Sequence, residues 1–276
     1  RVTVISIVLS IMVYISLTAF MQIMLKQLQA AVGNIDYDIS CHIYKENDEE
    51  ITKLNNIAKT TEGVTEYTLL QSAVGKYDKK FLNKEIKQIY ENFPDNETVS
   101  IIAVGDIEYN KYIKSLGLNY NDIKDKAILI DTVSTSIIDE NYKPVREIRL
   151  LNLKENDKFD VKGDNGEKLT FEIGKVTKKR PFATNSDMAT PYKILVLSNE
   201  HYDRIFKDEK RYSAYYKIKD ASKIKTQIEE SLKDYKKYFI SNVQERYNNE
   251  KHLITLVAIF LYGFIIIIIL IGVTNI

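Results

Sequence analysis

Two runs without a single charged side chain bound this chain, Val2 to Leu25 and Leu253 to Ile276. Each is about 24 residues, longer than the roughly 20 that a helix needs to cross a hydrocarbon core about 30 Å thick. A secretory signal peptide has a shorter apolar run of roughly 7–15 residues and a small-residue cleavage site, and the first run offers neither. Both runs are therefore expected to be transmembrane helices (1–25 and 253–276). Arg1 alone precedes the first, so flanking charge does not orient the pair.

Between the runs, Lys26 to Lys251 has the mixed charge of a folded domain, so the hydrophobic fraction of 45% averages two solvents. Somewhat over 200 residues suffice for one domain or two subdomains. A formal net charge of +1, with no long basic block, gives no reason to expect nucleic acid. The single cysteine, Cys41, rules out an internal disulfide framework and a cysteine zinc site. His42, His201 and His252 lie far apart without HxxH-type spacing, so each reads as a solvated or packed imidazole rather than a metal ligand. No cofactor is expected.

The first apolar helix does not stop at the membrane. Leu25, Leu28 and Val32 continue an i, i+3, i+7 stripe, and Gly33 follows as a helix C-cap would. At the far end Val243, Tyr247 and Ile254 continue the helical stripe into the second run. Periodicity leaves two readings open for residues 26–36 and 244–252, a stalk or an ordinary juxtamembrane linker.

The folded region opens and closes with similar units. Tyr37 to Tyr44 alternates as a strand, Asp48 to Thr60 carries Ile51, Leu54, Ile57 and Ala58 at helical spacing, and Val64 to Leu70 is again strand-like. Near the far end Tyr212 to Ile218 alternates, Asp220 or Ser222 can cap a helix carrying Ile224, Ile228 and Leu232, and Tyr238 to Val243 reads as a strand. The expected fold is α+β: a ferredoxin-like split β-α-β layer whose halves are residues 37–72 and 211–243, flanked by the two transmembrane helices. Residues 73–210 form an inserted β-rich α+β subdomain. Its strands are expected at Val99 to Val104, Ala127 to Val133, Phe159 to Val161, Lys168 to Ile173 and Tyr192 to Leu197. Its helices are expected at Ile107 to Leu116 and around Tyr202 to Phe206. Gly163-Asp164-Asn165-Gly166 supplies the hairpin turn.

Catalytic and nucleotide motifs are missing. There is no GxxxxGK[ST] phosphate loop and no GxSxG elbow. Asp48, Glu49 and Glu50 sit where acidic residues complement a helix N-terminus. Lys178, Lys179, Arg180 and Pro181 form a short basic loop, either solvated or able to meet an anionic headgroup or peptide. Tyrosine occurs 19 times and tryptophan not at all, and pairs such as Tyr215 and Tyr216 are expected to pack. The chain is not expected to be an enzyme. Within the spans, Ser6 and Ser10 make a small-xxx-small pair, while Gly263, Gly272, Thr274 and Asn275 notch the second helix. Such faces suit close packing against other helices.

The stretch from His252 (His-Leu-Ile-Thr-Leu-Val-Ala-Ile-Phe-Leu-Tyr-Gly-Phe-Ile) to the closing Leu270-Ile-Gly-Val-Thr-Asn-Ile276 resembles the equivalent helix of FtsX-like, MacB-type ABC transporter permeases of Gram-positive bacteria. Arg1-Val-Thr-Val-Ile-Ser-Ile-Val-Leu-Ser-Ile resembles the helix after the basic cytoplasmic segment in the second half of such permeases. The resemblance covers about a fifth of the chain. It implies a multi-pass cell-membrane protein with residues 26–251 extracytoplasmic, further permease helices, membrane lipid around the spans, and a separate cytoplasmic ABC ATPase subunit. It also implies an antimicrobial peptide, lipid or lipoprotein as substrate, or a sensor kinase as partner. Leu25, Leu28, Val32, Val243 and Tyr247 would then be stalk coupling residues, and Ser6, Ser10, Gly263, Gly272 and Asn275 transmembrane packing residues. The same topology fits a two-span receptor, such as a histidine kinase or chemoreceptor with an extracellular ligand-sensing domain. A membrane-anchored enzyme is the weaker third reading, for want of a catalytic set.

Overall fold

The computed structural model describes residues 2–33, 35–43, 48–84, 97–134, 147–163, 165–185, 193–206, 211–235 and 238–274. These fall into two compact units, Arg1–Ile35 with Ser241–Ile276, and Asp36–Ile240. The first unit holds the terminal helix α1 (Val2–Gly33) and its counterpart at the far end. The second unit is α+β.

Its first layer is built by β1 (Ile39–Ile43), α2 (Asp48–Thr60), β2 (Val64–Tyr77), β10 (Arg211–Ile218), α6 (Ala221–Leu232) and β11 (Tyr238–Asn242). The strand order β11-β1-β10-β2 is that of a split β-α-β layer, with β1–β10 and β10–β2 antiparallel. Its helices form because the expected apolar spacing is real. Leu54 and Ile57 of α2 and Ile224, Ile228 and Leu232 of α6 pack onto Ile39, Cys41, Ile43, Ala214 and Tyr216 in one core. Each such side chain contributes about 1.5–3 kcal/mol by leaving water. Asp220 is the N-cap of α6, accepting from the Ser222 N–H at 3.1 Å.

The inserted part contains β3 (Thr98–Val104), α3 (Asp106–Ser115), α4 (Tyr120–Ile123), β4 (Ala127–Ile130), β5 (Thr132–Ser134), β6 (Glu147–Arg149), β7 (Lys158–Lys162), β8 (Lys168–Thr177), β9 (Ile194–Leu197) and α5 (Asn199–Ile205). The sheet continues from β2 as β3-β9-β4-β8-β7, and β7 also pairs back onto Lys76 and Tyr77 of β2. That last pairing closes six strands into a ring, leaving no free edge there. Along β3, β4 and β9, alternate residues face opposite cores. Ile101, Leu129 and Leu195 point to the ring interior, while Ile102, Ile128 and Val196 pack under Tyr109, Tyr112 and Ile113 of α3. Burial on both faces is why these strands read as unbroken apolar runs. Tyr202 and Phe206, within and just after α5, complete the interior.

Two expectations from sequence change here. β2 does not end at Leu70 but runs to Tyr77, so the boundary placed between residues 72 and 73 falls inside a strand shared by both layers. Gly75 permits the closure, because a Cβ there would run into the Val161 side chain. Ala127 to Val133 is not one strand. Asp131, fully buried, interrupts it and takes Arg149 through Nε (3.1 Å) and Nη2 (3.2 Å) and the Leu151 N–H (3.1 Å). The chain after it leaves to pair β5 with β6.

Candidate functional site

The second terminal helix, α7 (Val243–Thr274), is 32 residues long, as is α1. At about 1.5 Å per residue each spans about 48 Å, against about 30 Å of hydrocarbon. Both contain windows long and apolar enough to cross a membrane, Ile11–Gln29 and Val243–Ile271, with only 6% of each window buried. Leu9, Ile15, Phe20, Ile259, Phe260 and Ile266 are each more than half exposed. In water such surfaces would be costly; lipid or further helices suit them.

The two helices meet through a polar contact. Thr18 Oγ1 donates to the Tyr14 carbonyl oxygen at 2.9 Å and lies 3.0 Å from the Tyr262 hydroxyl, which then donates across the interface. The Tyr14 and Tyr262 rings stack at a tilt, with centroids 5.5 Å apart. From there the less exposed positions of α1 include Thr18, Met21, Leu25, Leu28 and Val32, in steps of 3, 4, 3 and 4. On α7 they include Val243, Tyr247, Ile254, Ala258, Tyr262 and Ile265. Two antiparallel helices in register at Thr18 and Tyr262 bring Met21 level with Ala258, Leu25 with Ile254, and Val32 with Tyr247. Spacing near 3.5 residues is that of a coiled-coil seam. On α1 the row extends to Val32, beyond the apolar window; on α7 half-buried Glu250 stands between Tyr247 and Ile254.

The five residues named for the stalk lie within α1 and α7. Leu28 and Val243 are buried, and Leu25, Val32 and Tyr247 are half-buried. Asn242 caps α7, its Oδ1 accepting from the Glu245 N–H at 3.0 Å. A Cβ built on half-exposed Gly263 meets no atom within 4 Å, so this glycine is not a point of close approach between the two helices. Ser6, Ser10 and Gly272 lie on the helices, but their side-chain surroundings are outside the described residues, and Asn275 is wholly outside them. The polar contact that does join the helices, Thr18 with Tyr262, was missed from sequence. Its signal was two hydroxyl side chains, Tyr14 and Thr18, one turn apart in an apolar run.

A second set missed from sequence fastens the first residues of the α+β unit. Asp36 accepts from the Ala183 N–H (Oδ1, 3.1 Å) and from Asn185 Nδ2 (Oδ2, 3.3 Å), while Lys217 Nζ donates to its carbonyl at 3.1 Å. Asp38 accepts from the Ile218 N–H at 2.8 Å and donates its own N–H to Tyr216 at 2.9 Å. Ala183 holds φ +70, a conformation costly for a residue with a side chain, and this turn presents its N–H to Asp36. Burial raises the Asp36 carboxyl from 3.8 to about 6, against the opposing pull of the Ala183 hydrogen bond and the Lys217 charge. The basic loop at 178–181 is partly structural. Arg180 donates to the Thr184 carbonyl at 3.2 Å, and the Lys179 carbonyl accepts from Tyr112 Oη at 2.8 Å.

No catalytic arrangement accompanies these features among the described residues. His42 is packed, its Nδ1 2.7 Å from Ser213 Oγ and its ring stacked near Phe239, and burial lowers its pKa. The buried Cys41 thiol is pushed up to about 12, which removes it as a nucleophile at neutral pH. Among the described residues no group of three or more His, Cys, Asp or Glu could hold a metal ion.

No protein-family model matches this sequence, and no curated protein matches it. Among solved structures, the extracellular domain of the noncanonic ABC-type transporter YknZ from Gram-positive bacteria aligns over 74% of this chain and 100% of its own, at 13% identity. The TM-score is 0.35, too low to define a shared fold.

Proposed function

We propose that this chain is the extracytoplasmic domain, with its two flanking spans, of an ABC transporter permease. It would couple ATP hydrolysis by a cytoplasmic partner subunit to movement outside the membrane. The observation that carries the reading is the pairing of α1 with α7, two continuous 32-residue helices, each longer than a hydrocarbon core requires, joined by the Thr18–Tyr262 contact. A flexible linker would absorb axial movement, whereas a packed helix pair transmits it. Leu25, Leu28, Val32, Val243 and Tyr247 are the coupling residues in this reading, and Asp36 and Asp38 the anchor that receives the displacement. The substrate class is an antimicrobial peptide, lipid or lipoprotein, and further permease helices would cover the apolar faces left exposed on the pair. The resemblance of both terminal helices to FtsX-like, MacB-type permeases supports the same assignment.

The test uses the intact permease in its native membrane with its ATPase. Leu28→Gly and Tyr247→Gly are expected to abolish ATP-dependent function while leaving membrane insertion and ATPase co-purification intact. Unchanged function in both variants would refute mechanical coupling. A kinase or chemoreceptor signalling module directly after the second span would refute the permease assignment itself.

A further inference from the structure

Where β7 closes onto β2, a groove of about 610 Å³ opens beside the junction. Five lysines line it, Lys76, Lys79, Lys80, Lys162 and Lys168. Its three carboxylates are already engaged. Glu97 pairs with Lys79 at 3.0 Å, Asp160 with Lys168 at 2.9 Å, and Asp78 accepts from the Lys80 backbone N–H at 2.8 Å. Among the described residues no carboxylate forms an ion pair with Lys76, Lys80 or Lys162.

The register makes this arrangement unusual. Lys76 is the direct partner of Lys162 across β2–β7, and Lys162 the direct partner of Lys168 across β7–β8. Direct partners project to the same side with Cβ atoms about 4.5–5.5 Å apart, and like charges so placed repel. Three ammonium-bearing chains therefore stand in a row on adjacent strands. Closing the ring does not call for them, since Tyr77 and Val161, the neighbouring partners, supply the buried contact. Lys80 also lines the groove, its Nζ 5.0 Å from the Phe81 ring centroid and its charge felt by Asp160, and Phe81 makes part of the wall apolar.

We propose that this groove binds a phosphate-bearing ligand, held by Lys76 and Lys162 with Lys80 as a third donor. Lysine ammoniums are flexible point charges that suit the several oxygens of a phosphate. Planar carboxylates favour the arginine fork, which the groove lacks. The site makes no use of the helix pair, so its ligand and the role of the helices stand or fall separately.

Pyrophosphate is the first probe, titrated calorimetrically into the full chain in phosphatidylcholine nanodiscs. Saturable binding that weakens with added salt is expected. Lys162→Gln should reduce affinity about tenfold, corresponding to one charge-assisted contact, and Lys76→Gln/Lys162→Gln should reduce it further. The equally charged control Lys114→Gln/Lys223→Gln should bind as the wild type does. Lys162→Gln relieves repulsion, so its unliganded melting temperature should match or exceed that of the wild type. At a pyrophosphate concentration near the wild-type Kd, the wild type and the control should gain more in melting temperature than the lysine variants. A parallel titration with dihexanoyl phosphatidic acid separates sources: tighter binding than pyrophosphate assigns a lipid headgroup, equal or weaker binding a soluble phosphate. Absence of saturable binding, equal affinity in the lysine variants, or tighter lysine-dependent binding of a glutamate-rich peptide would overturn the proposal.

Discussion

Replacing Asp36 by Asn tests the anchor at the start of the α+β unit. The carboxyl titrates near 6 in the folded state against 3.8 as the unperturbed value, because burial, with some repulsion from Glu66, penalises its charge more than the Ala183 hydrogen bond and the Lys217 charge repay it. The folded state therefore holds the proton more tightly than the unfolded chain. Stability from this group is fully present below pH 3.8 and is lost as pH rises through about 6. A difference of about two pKa units corresponds to about 3 kcal/mol at neutral pH. An amide carries no charge to desolvate and can still accept from the Ala183 N–H, although the Asn185 amide must turn to face it. The variant is expected to be more stable by about 1–3 kcal/mol at pH 7.5, the lower values reflecting imperfect re-pairing. At pH 4 the difference should shrink to a few tenths of a kcal/mol, since the wild-type carboxyl is then protonated in the folded state. Urea denaturation of the full chain in nanodiscs, followed by tyrosine fluorescence in a protein without tryptophan, measures both. Lower stability of Asp36→Asn at pH 7.5, or a difference that does not change with pH, would show that the carboxylate is held as an ion and that this reasoning is wrong.

Asp131→Ala removes the buried acceptor of the Leu151 N–H together with the partner of Arg149; with Arg149 37% exposed and able to turn to water, the cost should be about 2–4 kcal/mol, read as a fall in melting temperature. Thr18→Val and Tyr262→Phe should show a coupling of about 0.5–1.5 kcal/mol in a double-mutant cycle of helix association, and independent effects would mean the 3.0 Å contact is not an energetic link. Ile228→Ala empties a fully buried position of α6 and should cost about 2–5 kcal/mol in urea denaturation. Gly75→Val should clash with Val161 where the ring closes, and faster amide exchange along β7 than along β3 would be its signature.

How much was legible in advance follows from what each signal depends on. Chain length against bilayer thickness decides the two spans, and helical spacing of Leu54, Ile57, Ile224, Ile228 and Leu232 decides α2 and α6; these are properties of consecutive residues. The same holds for Leu25, Leu28 and Val32, whose period continues α1 to Gly33. Tertiary structure alone decided the rest. β2 reaches Tyr77 through Gln71, Ser72 and Gly75, residues that read locally as a strand's end, because β3 and β7 supply its hydrogen-bonding partners from far along the chain. Asp131 reads as one charge in an apolar run until Arg149 arrives beside it. Asp36 is an unremarkable acid after a helix until the Ala183 turn covers it. The lysine row exists only because register places Lys76, Lys162 and Lys168 on neighbouring strands. Periodicity is written in neighbouring residues, so the sequence by itself determined the spans and the split β-α-β layer. Desolvation and charge proximity depend on groups brought from elsewhere, so the closed ring, the anchor and the groove were decided by the fold.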